Sequence, residues 1–318
     1  MPIIKKNDVM PERPVIIVLY GTPGSGKTSL ACTSNNPLLI DSDRGYDRSC
    51  LRVDTLVASK WTDIWNEEVI GKNVTSIVDN KQVQKWVSGD IANYDTVIVD
   101  TAKALLDDYL STYAIEQNYK LATNSLKRYG EMGELFKNFV NFLRNNKKDI
   151  IFICHDKETQ EGDIIKHSPD CTGQSKDLLV RIADQVGYVC KENGNRVVKF
   201  EPMDTRVGKN AAEIEDYWIP SSDSADFKNA MDVIIRRVKK AIQSKGEAQA
   251  EAFSKLDSAR SQLAEVKTVE EANAMKEVAY GLAKVHQKAF MNEMVKELEK
   301  KGFVLDPETK NFVKNDAA

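Results

Sequence analysis

The stretch Gly21-Thr22-Pro23-Gly24-Ser25-Gly26-Lys27-Thr28, directly behind the apolar run Val15-Ile16-Ile17-Val18-Leu19-Tyr20, constrains this chain more than any other. It predicts a buried strand, a glycine-rich loop and a helix, the G-x-x-x-x-G-K-[ST] pattern of a phosphate-binding loop. Gly21, Gly24 and Gly26 let the backbone take positive φ and bring several N–H groups against a phosphate, while the following helix offers its positive dipole end. Residues 21–29, ending in Ser29, are the candidate nucleotide site: Lys27 would reach the β- and γ-phosphates and the Thr28 hydroxyl would hold Mg²⁺. The alternative is a chance glycine-rich turn. The β-branched strand before it and Ser29-Leu30-Ala31 after it argue for the loop.

A chain of 318 residues exceeds one ordinary domain, so a core domain with an appendage is expected. The balance of 45 basic and 48 acidic residues, net −3, excludes a grossly basic nucleic-acid-coating protein but leaves room for a local basic patch. The 5 cysteines, Cys32, Cys50, Cys154, Cys171 and Cys190, are scattered and share no ligand-like spacing with the 3 histidines. They read as reduced, structural thiols and argue against a zinc site. Residues 1–13 are polar without an apolar leader segment, and no apolar run approaches membrane length, so a soluble, cytoplasmic chain is expected.

Beyond the loop, Pro37-Leu38-Leu39-Ile40-Asp41-Ser42-Asp43 reads as a short strand ending in carboxylates. Ligands of doubly wound sheets sit at the carboxyl ends of strands, so Asp41 and Asp43 are candidates to face the nucleotide and take a proton from attacking water. Exposed strand-end residues opening a turn would look the same. Tyr94-Asp95-Thr96-Val97-Ile98-Val99-Asp100-Thr101 reads as a buried parallel strand closing on an aspartate. Asp100 can complete the metal site begun by Thr28. The next residue is Thr101 rather than the glutamate that many ATPases use as base, which moves that role toward Asp43. A further strand, Asp149-Ile150-Ile151-Phe152-Ile153-Cys154-His155, ends on a histidine that could sense a terminal phosphate.

The remaining segments are read from periodicity and turn chemistry. Trp61, Ile64, Trp65 and Val69, then Val83 and Trp86-Val87, suggest two amphipathic helices, their tryptophans core rather than base-stacking. Residues 102–145 read as mainly helical, interrupted at 118–130, where Tyr119, Lys120, Lys127, Arg128 and Tyr129 give the mixture of cations and rings that single strands use; a solvated connection fits equally. Residues 156–175 read as a polar, mobile excursion and Asn193-Gly194 as a hairpin turn. Asp204-Thr205-Arg206-Val207-Gly208-Lys209-Asn210 offers two cations, Arg206 and Lys209, for a neighbouring subunit's nucleotide or for solvent. Past Pro220 three helices are expected: one from Phe227 to Ile242, one from Phe253 to Val266, and one from the capping box Thr268-Val269-Glu270-Glu271 through Leu298, with Gly302 as its stop and a small hairpin after it. The basic cluster Arg236, Arg237, Lys239 and Lys240 reads as a solvated face.

Together, residues 21–28, Ile40-Asp41-Ser42-Asp43, Val97-Ile98-Val99-Asp100-Thr101, the His155 strand tip and the 204–210 loop resemble a RecA-type core. They are most similar to phage-encoded AAA-type nucleotide-binding proteins, which include RecA-like single-strand annealing ATPases. The resemblance covers about 13–218. It implies an α/β fold, a RecA-like P-loop NTPase core with a mostly parallel sheet flanked by helices, and a helical C-terminal region. The expected organisation is a tail at 1–12, the ATPase domain at 13–220 and the helical region at 221–318. It further implies ATP and Mg²⁺ as cofactors, Asp43 as base, His155 as the residue coupling γ-phosphate state to a DNA-binding loop near 157–174, and Arg206 and Lys209 acting across a subunit interface. Single-stranded DNA, further copies of the chain in a ring or filament, and a recombination partner for the C-terminal region are the implied partners, in the cytoplasm of a bacterial host. A small-molecule or nucleotide kinase, and a nucleotide-gated interaction protein with vestigial hydrolysis, stand as alternatives.

Overall fold

The structure is a computed structural model that describes residues 4–45, 47, 49, 51–78 and 81–315; Cys50 lies outside the described residues. The chain divides into two compact units, residues 12–241 and residues 1–11 with 242–318.

The larger unit is an α/β layer structure. Strand β1 (Ile16–Gly21) is buried along its whole length, as the unbroken apolar run requires of a strand covered on both faces. It pairs in parallel with β7 (Asp149–Glu161) on one side and β9 (Gln185–Glu192) on the other. Outward from β7 follow β6 (Thr96–Asp100), β2 (Pro37–Asp41) and β3 (Asp54–Val57), all parallel. Beyond β9 the sheet turns antiparallel through β10 (Asn195–Lys199) and β12 (Tyr217–Ile219), with β11 (Lys209–Asn210) also on β9. Strand β7 therefore lies between the strand before the loop and the strand ending in Asp100. The start of β1 is pinned by two carboxylates: Asp149 Oδ1 accepts from Val15 N at 2.9 Å, and Asp184 Oδ2 from Ile16 N at 2.9 Å.

Side chains alternate across this sheet. Ile16, Val18, Tyr20, Val97, Val99, Ile150 and Phe152 point into one core with α5 (Ser125–Asn145) and α6 (Gly173–Ile182), while Ile17, Leu19, Ile98 and Ile151 are equally buried on the other face. Each such side chain contributes about 1.5–3 kcal/mol by leaving water. Between β6 and β7 run a π-helical turn (Ala104–Tyr109), α4 (Leu110–Gln117) and α5, the helical stretch that periodicity indicated.

Three readings differ from the structure. The two helices expected between residues 54 and 89 reduce to short turns, α2 (Trp61–Ile64) and α3 (Glu67–Ile70). They are followed by an antiparallel ribbon of β4 (Gly71–Val78) and β5 (Lys81–Ser88), which takes Val83 and Trp86-Val87. The spacing of those three residues fits a helix by chance, and the β-branched Val74, Thr75, Ile77, Val78 and Val87 decide for extended backbone. Residues 156–169 are no mobile excursion: β7 continues past the sheet and folds back as β8 (Ile164–Pro169), the turn carried by Gly162 at φ 64°. The core reading of the tryptophans holds for Trp61 and in part for half-buried Trp65, whereas Trp86 is 44% exposed. Trp61 and Trp65 stack at 5.6 Å, Trp61 meets Phe139 edge-on at 5.6 Å, and Trp65 meets Phe142 at 5.4 Å. At the far edge, Asn193 and Gly194 adopt φ 50° and 82°, the pair of positive values a two-residue hairpin needs.

The third difference lies in the C-terminal helices. Helix α7 (Ala230–Glu265) joins the two helices expected there, because the intervening 243–252, rich in Ala, Glu and Gln, propagates helix without apolar periodicity. The expected third helix is instead two, α8 (Val269–Gly281) and α9 (Lys284–Lys300), with extended Leu282 and Ala283 between them. Thr268 and Glu271 form the capping box, Gly302 sits at φ 82°, and β13 (Phe303–Leu305) pairs with β14 (Phe312–Lys314). This smaller unit has its own core around Leu256, Leu263, Met275, Phe290, Met294 and Leu298. No helix among the described residues is long and apolar enough to cross a membrane.

Phe139 is fully buried at the centre of the tryptophan cluster. Phe139→Ala is expected to lower stability by about 3–5 kcal/mol in urea denaturation; a loss under about 1 kcal/mol would show that the cluster can collapse around the cavity.

Candidate functional site

Parallel register brings four strand ends together. Gly21 pairs with His155 across β1 and β7, and Asp41 pairs with Asp100 across β2 and β6. Around these ends lies a cavity of about 420 Å³ lined by Gly24, Lys27, Thr28, Asp43, His155 and Arg196 among others. This is the position at which open α/β sheets bind ligands.

The loop supplies backbone N–H groups and one cation. Gly24 and Gly26 sit at φ 75° and 92°, conformations that a side chain would strain. Gly21 is required for a different reason, since a Cβ there would stand 2.3 Å from the Val189 carbonyl oxygen. The helix that follows, α1 (Lys27–Ala31), is short, so anion attraction rests mainly on the loop and on Lys27 rather than on a long helix dipole. The Lys27 ammonium donates to the carbonyls of Gly21 at 2.8 Å and Thr22 at 2.9 Å and to Ser25 Oγ at 3.3 Å. Burial lowers its pKa, and the Asp100 charge partly restores it.

Thr28 Oγ1 donates to Asp100 Oδ2 at 2.6 Å, placing a hydroxyl and a carboxylate oxygen side by side. Two hard oxygen donors at one point suit Mg²⁺. Burial pushes the Asp100 carboxyl above the usual carboxylate range. The Thr28 hydrogen bond and the Lys27 charge pull it back, while Asp41 and Asp43 add to the rise. Thr101 Oγ1 accepts from Ala104 N at 3.3 Å and caps the turn that follows.

The two carboxylates after β2 have separate surroundings. Asp41 is 2% exposed, and its Oδ1 accepts from the N–H of Asp43 at 3.1 Å and of Gly45 at 3.2 Å. It thereby holds the turn that presents Asp43, whose half-exposed carboxylate lies 3.8 Å from His155 Nε2. The other ring nitrogen of His155, Nδ1, is buried without a hydrogen-bond partner.

Arg196, on β10, is a residue of the site that sequence reading missed. A Cβ on Gly26 would lie 3.0 Å from its Nη1, so the guanidinium packs against the loop at the glycine. Its one sequence signal is the Asn193-Gly194 turn just before it, which fixes a hairpin but not which strand β10 faces across the loop. Arg206 and Lys209 do not line the cavity. Arg206 Nε donates to the Glu201 carbonyl at 3.2 Å, and the Lys209 ammonium holds the last carbonyls of α6, those of Val180 at 3.1 Å and Arg181 at 3.0 Å.

A family model described as an AAA domain matches residues 13–212, well over half of the chain. No curated protein matches it.

Because the pKa of Asp100 is raised in the folded state, its contribution to stability is present at acid pH and lost as pH rises through the folded value. Asp100→Asn is therefore expected to melt above the wild type at neutral pH without nucleotide, the gap closing as pH falls toward the ordinary carboxylate range. A variant that melts lower at neutral pH would show that the Thr28 bond outweighs the cost of the buried charge.

Proposed function

The chain belongs to the AAA-domain family, whose members are nucleotide-binding ATPases, and we propose that it is a magnesium-dependent ATPase that works on single-stranded DNA in phage-type recombination. The observation that carries the ATPase part is the convergence of Lys27, Thr28, Asp100, Asp43, His155 and Arg196 on one cavity. Those residues fit Mg·ATP: loop N–H groups and a buried ammonium for the phosphates, and a hydroxyl beside a carboxylate for the ion. Bound Mg²⁺ supplies charge neutralisation on phosphate oxygens.

The chain's own residues do the rest. Lys27 gives up its bonds to the Gly21 and Thr22 carbonyls and turns its charge to phosphate. Asp43, positioned by Asp41, accepts a proton from water, and His155 beside it registers whether the terminal phosphate is present. Arg196 stabilises charge on the transferred group from within the same chain, the work an arginine finger does. Arg206 and Lys209 acting on a neighbouring subunit's nucleotide, in a ring or filament, belong to the same proposal. Lys209 would have to leave the α6 carbonyls to do so.

For DNA, support comes from residues 119–129 rather than 157–174. In the second segment Glu158, Glu161, Asp163 and Asp170 outnumber Lys157 and Lys166, and Lys166 pairs with Glu161 at 3.6 Å. That balance disfavours phosphate contacts. In the first, Tyr119 is 77% exposed beside exposed Lys120 and Lys127, and Arg128 lies over the Tyr129 ring at 6.0 Å. Rings and cations so placed can stack bases and neutralise phosphates.

ATP hydrolysis measured with and without single-stranded DNA at two salt concentrations tests the reading. DNA-stimulated turnover that weakens with salt supports it; equal turnover without DNA removes the DNA role, and binding without turnover removes the ATPase. Lys27→Ala should abolish hydrolysis. Arg196→Ala should cut kcat by about 10³-fold, the lower range for such arginines, whereas an unchanged kcat would place Arg196 outside the chemistry.

A further inference from the structure

One cluster of titratable side chains lies outside the nucleotide cavity, at the root of the β7–β8 ribbon. The ladder pairs Asp156 with Pro169 and Glu158 directly with His167. Residues two apart on a strand share a face, and directly opposed residues share it too. Asp156, Glu158 and His167 therefore project from one side of the ribbon, and one ligand atom from each lies within 4.8 Å of the others. His155, one residue earlier, points to the other side, into the nucleotide cavity.

Two further observations say that this cluster is incomplete. The Asp156 side chain is only 3% exposed, and although Oδ2 lies 2.6 Å from His167 Nδ1, Oδ1 is buried with no hydrogen-bond partner. A buried carboxylate oxygen without a donor or cation is rare in folded proteins. The His167 ring is meanwhile held in place, stacked on Tyr188 at 5.0 Å, with its backbone bonded to Thr205 O and Val207 N at 2.9 Å each. Arg206, in that same loop, has its Nε on the Glu201 carbonyl.

We propose that Asp156, Glu158 and His167 bind a divalent first-row transition ion, with Zn²⁺ the best match, at a site distinct from the Mg²⁺ position of Thr28 and Asp100. One imidazole nitrogen and two carboxylates form the N/O donor set that such ions take and that Mg²⁺, an all-oxygen ion, does not favour. The ion takes the place of the proton between Nδ1 and Oδ2, which passes to the ring's Nε2. It ties β7 to β8 one residue from His155 and so stiffens the ribbon that leaves the nucleotide site.

The 318-residue chain, freed of metal with a chelator, is titrated with Zn²⁺ by calorimetry and with Co²⁺ by visible absorption. The wild type and Asp100→Asn should each take up one equivalent. His167→Gln and Glu158→Gln should weaken it more than about 10-fold, since even outer-shell losses cost that much. Glu158 is exposed, so its variant keeps the test independent of folding. The Co²⁺ spectrum should show ligand-field bands without thiolate charge transfer. No uptake by the wild type, uptake unchanged in both variants, uptake lost only in Asp100→Asn, or a thiolate band would each overturn the site.

Discussion

The 2.6 Å hydrogen bond from Thr28 to Asp100 joins two residues 72 positions apart, and it exists only because β7 stands between β1 and β6 at the right register. With β7 in place, the loop after β1 and the tip of β6 meet across one strand width. Gly21 then aligns with His155, and Asp41 with Asp100. The cavity is thus a consequence of how the parallel strands β1, β2, β6 and β7 end, with Arg196 added from the antiparallel β10; Lys27 and Thr28 come from α1 after the loop and Asp43 from the turn after β2.

Electrostatics at those ends is poised rather than relaxed. Lys27 is buried with its ammonium on backbone carbonyls, and Asp100 is half-buried with one hydroxyl donor. Burial works against both charges, lowering one pKa and raising the other. A phosphate and a divalent cation are the ligands that offset these two costs together, which is why the arrangement suits nucleotide binding better than it suits the empty fold. Asp41 and Asp43 show the same division of labour on a smaller scale: one carboxylate is spent on backbone N–H groups so that the other can face the cavity.

Elements outside the sheet were harder to read, for identifiable reasons. The sequence of the β4–β5 ribbon mixes apolar and polar residues without strict alternation, so it does not distinguish extended backbone from a helix. The β7–β8 ribbon looked like a loop because most of it extends past the core, and what its root buries is polar, Asp156, His167 and Ser168, rather than apolar. Helix α7 looked like two because its middle turns bury little apolar surface, although Ala- and Glu-rich residues there favour helix and continue it between its two packed ends.

What the sequence determined by itself is whatever depends on neighbours along the chain. The phosphate loop, the aspartate closing β6, the Asn193-Gly194 turn and the Thr268–Glu271 capping box are each local, and their residue types dictate their backbone. What only the tertiary structure decided depends on which strands lie side by side and in what register. That set includes Arg196 against Gly26, the separate surroundings of Asp41 and Asp43, Lys209 on α6, and His167 opposite Glu158 next to an unsatisfied Asp156. A shift of one residue in any of those ladders would turn the side chain to the other face, and no local pattern records that choice.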